Sequence, residues 1–493
     1  MMHCIIGIDI GTTHTKSVLA SAKNGSVIAE FKRTYAASQP APGWHEQDPR
    51  EIFEAVREVL ALAAEEGAKS GQVICVSFSA AMHSLVVVDE NNEPLTPLLT
   101  WADTRSIEQA DRLKSVPLGA TLYRETGVPV HPMSPLCKIA WLRSEQPAIF
   151  SRASRFISIK EYVFAELFGE YVVDYSMAAA SGLFDMERLQ WHTDALSFAG
   201  ISEEQLSKPV PPFYRLQGLA PKYRKQVSLP DTTSYIAGAS DGLLATIGSG
   251  ALMPGEAALT IGTSGALRLL TAKRVNDDRQ RLFNYAFEGE HYLVGGSINN
   301  GGNILQWFIE TFTDNTGPLE TALNKYTLEA SNVAPGSEGL IFLPYLHGER
   351  APVWDAAASG AFIGIRSYHT KAHFMRAILE GISFSLLQIQ EALEETGPSI
   401  DTIYASGGFI ESLLWLEVLC DILGKPINIS RQADASALGA VYTGMYAMGA
   451  INEWNEIKRF VRTDVELRPN ASKRSLYLDN YRYYDSLYRR LKR

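Results

Sequence analysis

Apolar positions over residues 4–35 fall into three short runs, broken at Gly11-Thr-Thr13 and at Lys23-Asn-Gly25, which predicts a β-meander. The period changes at Asp48-Pro-Arg-Glu51. There an N-cap, a proline at the first helical position and an acid at N3 precede the stripe Ile52, Phe53, Val56, Val59 and Leu60. That spacing predicts an amphipathic helix ended by Gly67, followed by strands over 73–79 and 84–89. The second half repeats the plan: a hairpin over 257–270, strand-like sequence over 285–295, and helices over 303–312, 371–395, 413–423 and 435–448. The third-last of these helices stops at Gly397-Pro398 and the next at Gly424-Lys-Pro426. Strands alternating with helices in both halves predict an α/β chain of two lobes, each a mixed sheet flanked by helices, with a cleft between them. The expected boundary divides 1–243 from 244–493, with no flexible linker. The C-terminal stripe Tyr477, Tyr481, Tyr484, Tyr488 and Leu491 has helical spacing with basic residues between. Of a nucleic-acid surface and a packing helix with a solvated face, the periodicity favours the second.

A chain of 493 residues exceeds what one simple core organises, and 46% hydrophobic with 20% charged residues is a globular balance. No apolar run reaches the roughly 18 residues that span a bilayer, and the start runs into the first strand without a charged leader. A cytoplasmic protein without membrane partners is expected. The net charge of -10 gives no support to nucleic-acid binding, yet permits an anionic substrate in a locally positive pocket. Cys4, Cys75, Cys137 and Cys420 are scattered, which argues against zinc and disulfides; Cys75 and Cys420 read as core residues.

Two segments carry the candidate chemistry. Gly7-Ile-Asp-Ile-Gly-Thr-Thr-His-Thr-Lys16 and Leu259-Thr-Ile-Gly-Thr-Ser-Gly-Ala-Leu267 each take an apolar strand into Ile-Gly-Thr, a second hydroxyl residue and another short strand. Such loops let backbone N–H groups and hydroxyls surround an anion. Gly262 follows Gly11 by 251 residues, about half the chain, so each lobe offers one phosphate loop. Asp9, between two isoleucines beside the first loop, reads either as a Mg2+ carboxylate or as the cap of its own turn. Lys16 reads as a phosphate contact or as a solvated strand-edge lysine. Asp241, in Tyr235-Ile-Ala-Gly-Ala-Ser-Asp-Gly242, would stand between the lobes as acceptor for a hydroxyl proton. Ala405-Ser-Gly-Gly-Phe409 offers either a backbone platform for a flat base or a plain strand-to-helix turn.

The chain resembles the FGGY family of carbohydrate kinases, within the actin-like, ribonuclease H-like superfamily. Met133-Ser-Pro-Leu-Cys-Lys-Ile-Ala-Trp141 is similar to the family's first signature. Gly360-Ala-Phe-Ile-Gly-Ile365, continued by His373-Phe-Met-Arg-Ala-Ile-Leu-Glu380, is similar to its second. The resemblance covers essentially the whole chain and implies ATP as phosphoryl donor, Mg2+ at Asp9 and Asp241 as general base. It implies a first phosphate loop of Gly11, Thr12, Thr13 and Lys16, and a second of Gly262 and Thr263. Gly302 and Gln306 would contact the nucleotide, and Gly407, Gly408 and Ser412 would line the adenosine site. His14, where a serine is common, and Ser412, where some relatives have asparagine, depart from the pattern.

Substrate choice is expected from Met82 and His83 in Ala80-Ala-Met-His-Ser84, and from Trp101, Asp103 and Arg105 in Thr100-Trp-Ala-Asp-Thr-Arg105. His83 is either a donor to a polyol hydroxyl or a strand-end histidine satisfied by backbone. Asp103 and Arg105 are either a hydroxyl acceptor and a cation for the substrate or a surface pair with each other. With His131-Pro-Met133, Ile159-Lys-Glu-Tyr162, Val172-Val-Asp-Tyr-Ser176 and Ile298-Asn-Asn-Gly-Gly302, these segments are similar to those of gluconate-phosphorylating members. That implies transfer to the 6-hydroxyl of D-gluconate, with Arg105 or Arg350 as a bidentate partner of the carboxylate. Xylulose or another polyol is the alternative acceptor. An acceptor-free, actin-like ATPase switch is the alternative from another class. The expected partner is thus a small sugar acid or polyol; a homodimer is the one macromolecular assembly allowed for.

Overall fold

The computed structural model describes residues 2–289, 291–397, 399–431 and 434–491. Of the strands of its two large sheets and some of the helices around them, the first half contains β1 (His3–Ile10), β2 (His14–Ser21), β3 (Val27–Thr34), α1 (Pro49–Ser70), β4 (Gln72–Ala80), α2 (Pro135–Glu145), α3 (Ile159–Phe168), β5 (Arg215–Leu216), β6 (Ser234–Ser240) and α4 (Asp241–Gly248). The sheet order is β5-β6-β4-β1-β2-β3, with β1, β4 and β6 parallel and the rest antiparallel. The meander over 4–35 forms as expected, and central β1 is buried along nearly its whole length.

The second half contains β7 (Glu256–Ile261), β8 (Gly265–Thr271), β9 (Phe283–Glu288), β10 (His291–Ile298), α5 (Gly302–Phe312), α6 (Lys371–Thr396), β11 (Thr402–Ser406), α7 (Leu413–Leu423), β12 (Ile427–Ile429), α8 (Ala435–Ala447), β13 (Val465–Leu467) and α9 (Ala471–Leu491). Its order is β9-β10-β8-β7-β11-β12-β13, again an antiparallel meander joined to parallel strands β7, β11 and β12. The duplicated plan seen in the sequence is therefore a duplicated sheet.

Two expectations shift and one, at Gly397, holds. α1 runs through Gly67 to Ser70, because that glycine serves packing: a Cβ there would overlap the Val73 side chain. The strand expected over 84–89 shrinks to Val86–Val88, paired with Arg155–Ile157 outside the main sheet. The helix ended by Gly397-Pro398 runs to Thr396 with Gly397 as its C-cap; Pro398 lies outside the described residues. The tyrosine stripe belongs to a packing helix. Tyr477, Tyr481 and Tyr484 of α9 are buried against α6, with Arg376 Nη2 donating to the Tyr477 hydroxyl at 2.6 Å. Among the described residues no helix is long and apolar enough to cross a membrane.

A helix of the second half crosses to the first. α8 lies late in the chain yet packs on the first sheet, against β1, β4 and β2. Glycines make that approach close: a Cβ on Gly7 would overlap the Ala437 carbonyl, and a Cβ on Gly439 the Leu244 carbonyl of α4. α4 and α8 are thereby clamped together, and each begins at an aspartate-bearing turn of the site.

Candidate active site

Register brings the chemistry to one edge of each sheet. Ile10 and Ser240 both pair with Ala80, so β1, β4 and β6 end together and release Asp9, Met82, His83 and Asp241 at the same edge. Ligands of open α/β sheets bind outside such carboxyl ends. In the second sheet Thr260 pairs with Ser406 and Ile261 with Gly265, which sets Gly262, Thr263 and Gly407 beside one another.

Asp9 is buried and accepts from Ser79 Oγ at 2.6 Å. Burial pushes its carboxyl well up, and the nearby charges of Asp434 and Asp241 push further, against the Ser79 hydrogen bond and Lys16. Lys16 Nζ is committed to Asp434 Oδ2 at 2.7 Å. A buried carboxylate with acidic neighbours fits a divalent cation, and Mg2+ takes one or two carboxylates together with waters and substrate phosphates. No group of three or more acidic, histidine or cysteine side chains converges among the described residues.

In the first loop Gly11 N–H bonds the His14 carbonyl at 3.1 Å, and Tyr35 donates its hydroxyl to the Gly11 carbonyl. Gln47 Nε2 donates to the Thr12 carbonyl at 2.7 Å, Trp101 Nε1 to Thr12 Oγ1 at 3.0 Å, and Thr13 Oγ1 bonds the His14 ring at 3.0 Å. The loop is thus fastened to Trp101. In the second loop Gly262 N–H bonds the Ser264 carbonyl at 2.8 Å, and Gly301 N–H reaches the Thr263 carbonyl at 3.2 Å. Gly302, at the start of α5, donates to the Gly262 carbonyl at 2.8 Å, so it shapes the loop. Gln306 is exposed and donates from Nε2 to Glu310 at 2.7 Å.

Lys16, Gly407, Gly408, Asp434 and Ser436 line one cleft of about 300 Å³ between the sheets. Gly407 has φ 105° and leaves no room for a Cβ against the Ile261 carbonyl, whereas beside Gly408 the space is open. Ser412 instead caps α7, accepting from Trp415 N at 3.4 Å, and does not line the cleft.

A second, smaller cavity adjoins this cleft where Ser436 Oγ donates to the Asp241 carbonyl at 3.3 Å. Met82, His83, Trp101, Asp241, Arg268 and Arg350 stand on its wall. Asp241 opens α4, and its carboxylate accepts from Gly242 N at 2.7 Å and from the Met82 backbone. Burial pushes it up, while Arg268 and these N–H donors pull it down.

His83 lines the cavity but is not the expected donor. With φ 63°, its Nδ1 faces the Ala180 carbonyl at 2.8 Å and its Nε2 the Tyr285 hydroxyl at 3.1 Å. A carbonyl only accepts, so Nδ1 carries the proton and Nε2 accepts. Burial, with Lys138 and Arg350 nearby, holds the ring neutral, its pKa lowered to about 3. Asp103 and Arg105 are corrected likewise. Arg105 Nη2 pairs with Asp103 at 2.8 Å and Glu46 at 2.6 Å, and its guanidinium stacks 3.8 Å over Trp44. The pair is internal and buried, and neither residue reaches the cavity. Lys138, from the first signature, cross-braces the loops carrying His83 and Trp101 through the His83 and Thr100 carbonyls, each at 2.7 Å.

Three features escaped the sequence reading. Asp434 was legible as an N-cap before the alanine-rich α8, but its pairing with a lysine 418 positions away was not. Arg268 stands out as the one charge in Gly265–Thr271. Lys160 bonds Asp174 at 2.8 Å, Asp174 accepts from Ser176 Oγ at 2.5 Å, and Ser240 N donates to Ser176 Oγ at 2.8 Å. This buried chain holds the strand end from which Asp241 projects.

Two like-built lobes gripping a cleft beside a buried aspartate define a phosphotransferase of the actin-like class. The N-terminal domain of the FGGY family of carbohydrate kinases matches residues 4–248 and its C-terminal domain residues 257–448; the chain belongs to that family. It is therefore a carbohydrate kinase, which decides against the acceptor-free switch. It is 41% identical over 470 residues to the gluconokinase of Bacillus subtilis (strain 168), covering 94% of this chain and 91% of that protein. The crystal structure of gluconate kinase from Lactobacillus acidophilus matches with a TM-score of 0.92 at 34% identity, covering 100% of this chain and 98% of that one. The ligand-bound xylulose kinase from Lactobacillus acidophilus matches with 0.93 at 35% identity, covering 99% and 98%.

Proposed function

We propose that the chain transfers the γ-phosphoryl group of ATP to the 6-hydroxyl of D-gluconate, with Asp241 accepting the hydroxyl proton. The observation that carries this is the position of Asp241: it lines the smaller cavity while its own carbonyl accepts from Ser436 of the neighbouring cleft. An alcohol in the cavity would meet a phosphate in the cleft at that point. In this reading both halves, 1–243 and 244–493, build both compartments: Lys16 joins Gly407, Gly408 and Asp434 on the nucleotide side, and Met82, His83, Trp101 and Asp241 join Arg268 and Arg350 on the sugar side.

Phosphoryl transfer needs alignment, charge neutralisation and a proton acceptor. The Gly11–Thr13 and Gly262–Thr263 loops would approach the phosphates from opposite lobes, and Lys16 would add charge beside them. Mg2+ held at Asp9 would neutralise phosphate charge. Asp241, raised by burial against the pull of Arg268, lines the cavity and fits a general base. The gluconokinase relatives support a sugar acid as acceptor. Of the two arginines expected to meet the carboxylate, Arg350 is the one on the cavity wall. The xylulose kinase likeness keeps a neutral ketose as the second reading.

Asp241→Asn is expected to lower kcat by about 10²- to 10⁴-fold with the KM for ATP little changed, since proton acceptance acts in the transition state. Steady-state kinetics checks this, and turnover near that of the parent removes Asp241 from the mechanism.

A further inference from the structure

Arg268 lies on β8 and faces the same cavity as Asp241. Its Nε and Nη1 are shut off from solvent and have no hydrogen-bond partner among the described residues. Arg350, across the cavity, repeats the anomaly at one atom. Its Nη2 donates to the Ile298 carbonyl at 3.0 Å and its plane lies 4.5 Å from the Trp101 ring, yet Nε is buried and unpartnered. Buried guanidinium N–H groups left unpaired are costly, so three of them around one cavity mark an absent acceptor.

The other charged groups do not supply it. Asp241 takes its hydrogen bonds from backbone N–H groups. Glu349 is buried behind Arg350, its carboxylate accepting from Asn299 N at 2.6 Å, Arg350 N at 2.8 Å and Asn300 Nδ2 at 3.0 Å. His83 and Tyr285 satisfy each other. A neutral polyol end would bring one oxygen to these donors. A carboxylate brings two oxygens with about four lone-pair sites and a compensating charge.

We propose that Arg268 is a specificity-determining residue of this kinase, which with Arg350 forms a two-guanidinium receptor for the carboxylate of a sugar acid. The inference rests on the sugar-acid reading above and adds a residue and a reason for it. The receptor is incomplete without an anionic substrate, so neutral sugars of equal length leave its donors unpaired and bind poorly.

The test compares D-gluconate with D-glucitol, which carries a CH2OH group in place of the carboxylate, and with D-xylulose. In the parent enzyme kcat/KM should favour gluconate over glucitol. In Arg268→Met that ratio should fall by about 10- to 100-fold, mainly through the KM for gluconate, and Arg268→Lys should keep part of it. Without nucleotide, gluconate should raise the melting temperature of the parent but not of Arg268→Met. The ligand-free Met variant should melt no lower than the parent, because an unpaired buried charge has been removed. If it does not fold, Arg268→Lys carries the same comparison. Equal losses for gluconate and glucitol, or a moved acid limb in the pH profile with the ratio intact, would overturn the receptor: Arg268 would then act through Asp241. A parent enzyme that phosphorylates xylulose and leaves gluconate untouched would instead overturn the sugar-acid reading itself.

Discussion

Opposing influences meet on the Asp241 carboxyl. Burial favours its neutral form, and Arg268 with two backbone N–H groups favours the charged one, the net effect being upward. A base works only when ionised, so kcat/KM should rise with pH through an acid limb lying above the ordinary carboxylate value of about 4, then level off. A pH–rate profile already flat at that value contradicts this. Asp9 and Asp241 were legible in the sequence because each is a lone acid at the end of an apolar strand, where an unpaired charge needs a reason. Arg105 looked equally suggestive, but only folding reveals that Asp103 and Glu46 consume it. Arg268 was hidden for the converse reason. An arginine in a short strand reads as a solvated edge residue until a second lobe covers it.

Among the elements, α4 and α8 matter most, because one begins at Asp241 and the other is capped by Asp434. Their backbones meet at Gly439 and Gly248, where added Cβ atoms would overlap the Leu244 and Ala435 carbonyls. Gly439→Ala gains helix propensity of about 1 kcal/mol, but must push two helices apart. We expect a net loss of about 1–3 kcal/mol in chemical denaturation, and lowered activity because Asp434 and Asp241 move relative to one another. Unchanged stability and activity would mean that the crossing is not tight. The helices themselves were legible from periodicity and caps, Asp48 and Gly424 among them. Which sheet α8 covers was not, because an alanine- and glycine-rich helix buried on all sides has no face that names its neighbour. Gly67 misled for a related reason: glycine marks helix ends and close packing alike.

At the scale of the molecule, two sheets of the same plan meet along a cleft whose two compartments touch at Asp241 and Ser436. Such lobes exclude water by closing on their ligands, which limits wasteful ATP hydrolysis. Small-angle scattering should therefore show a smaller radius of gyration with nucleotide and gluconate together than with neither. An unchanged curve at saturation speaks against closure. Duplication was legible because the loops at Gly11 and Gly262 repeat a short motif half a chain apart. The compartments were not, since their walls join residues hundreds of positions apart, as Lys16 and Asp434 do. The most direct measurement supplies ATP with D-gluconate, with D-xylulose or with no sugar, follows ADP release, and locates the transferred phosphate by NMR. The account predicts rapid ADP release with gluconate, one phosphate on its 6-oxygen, and little release without acceptor. ADP release indifferent to the sugar, or transfer faster to xylulose than to gluconate, would contradict it.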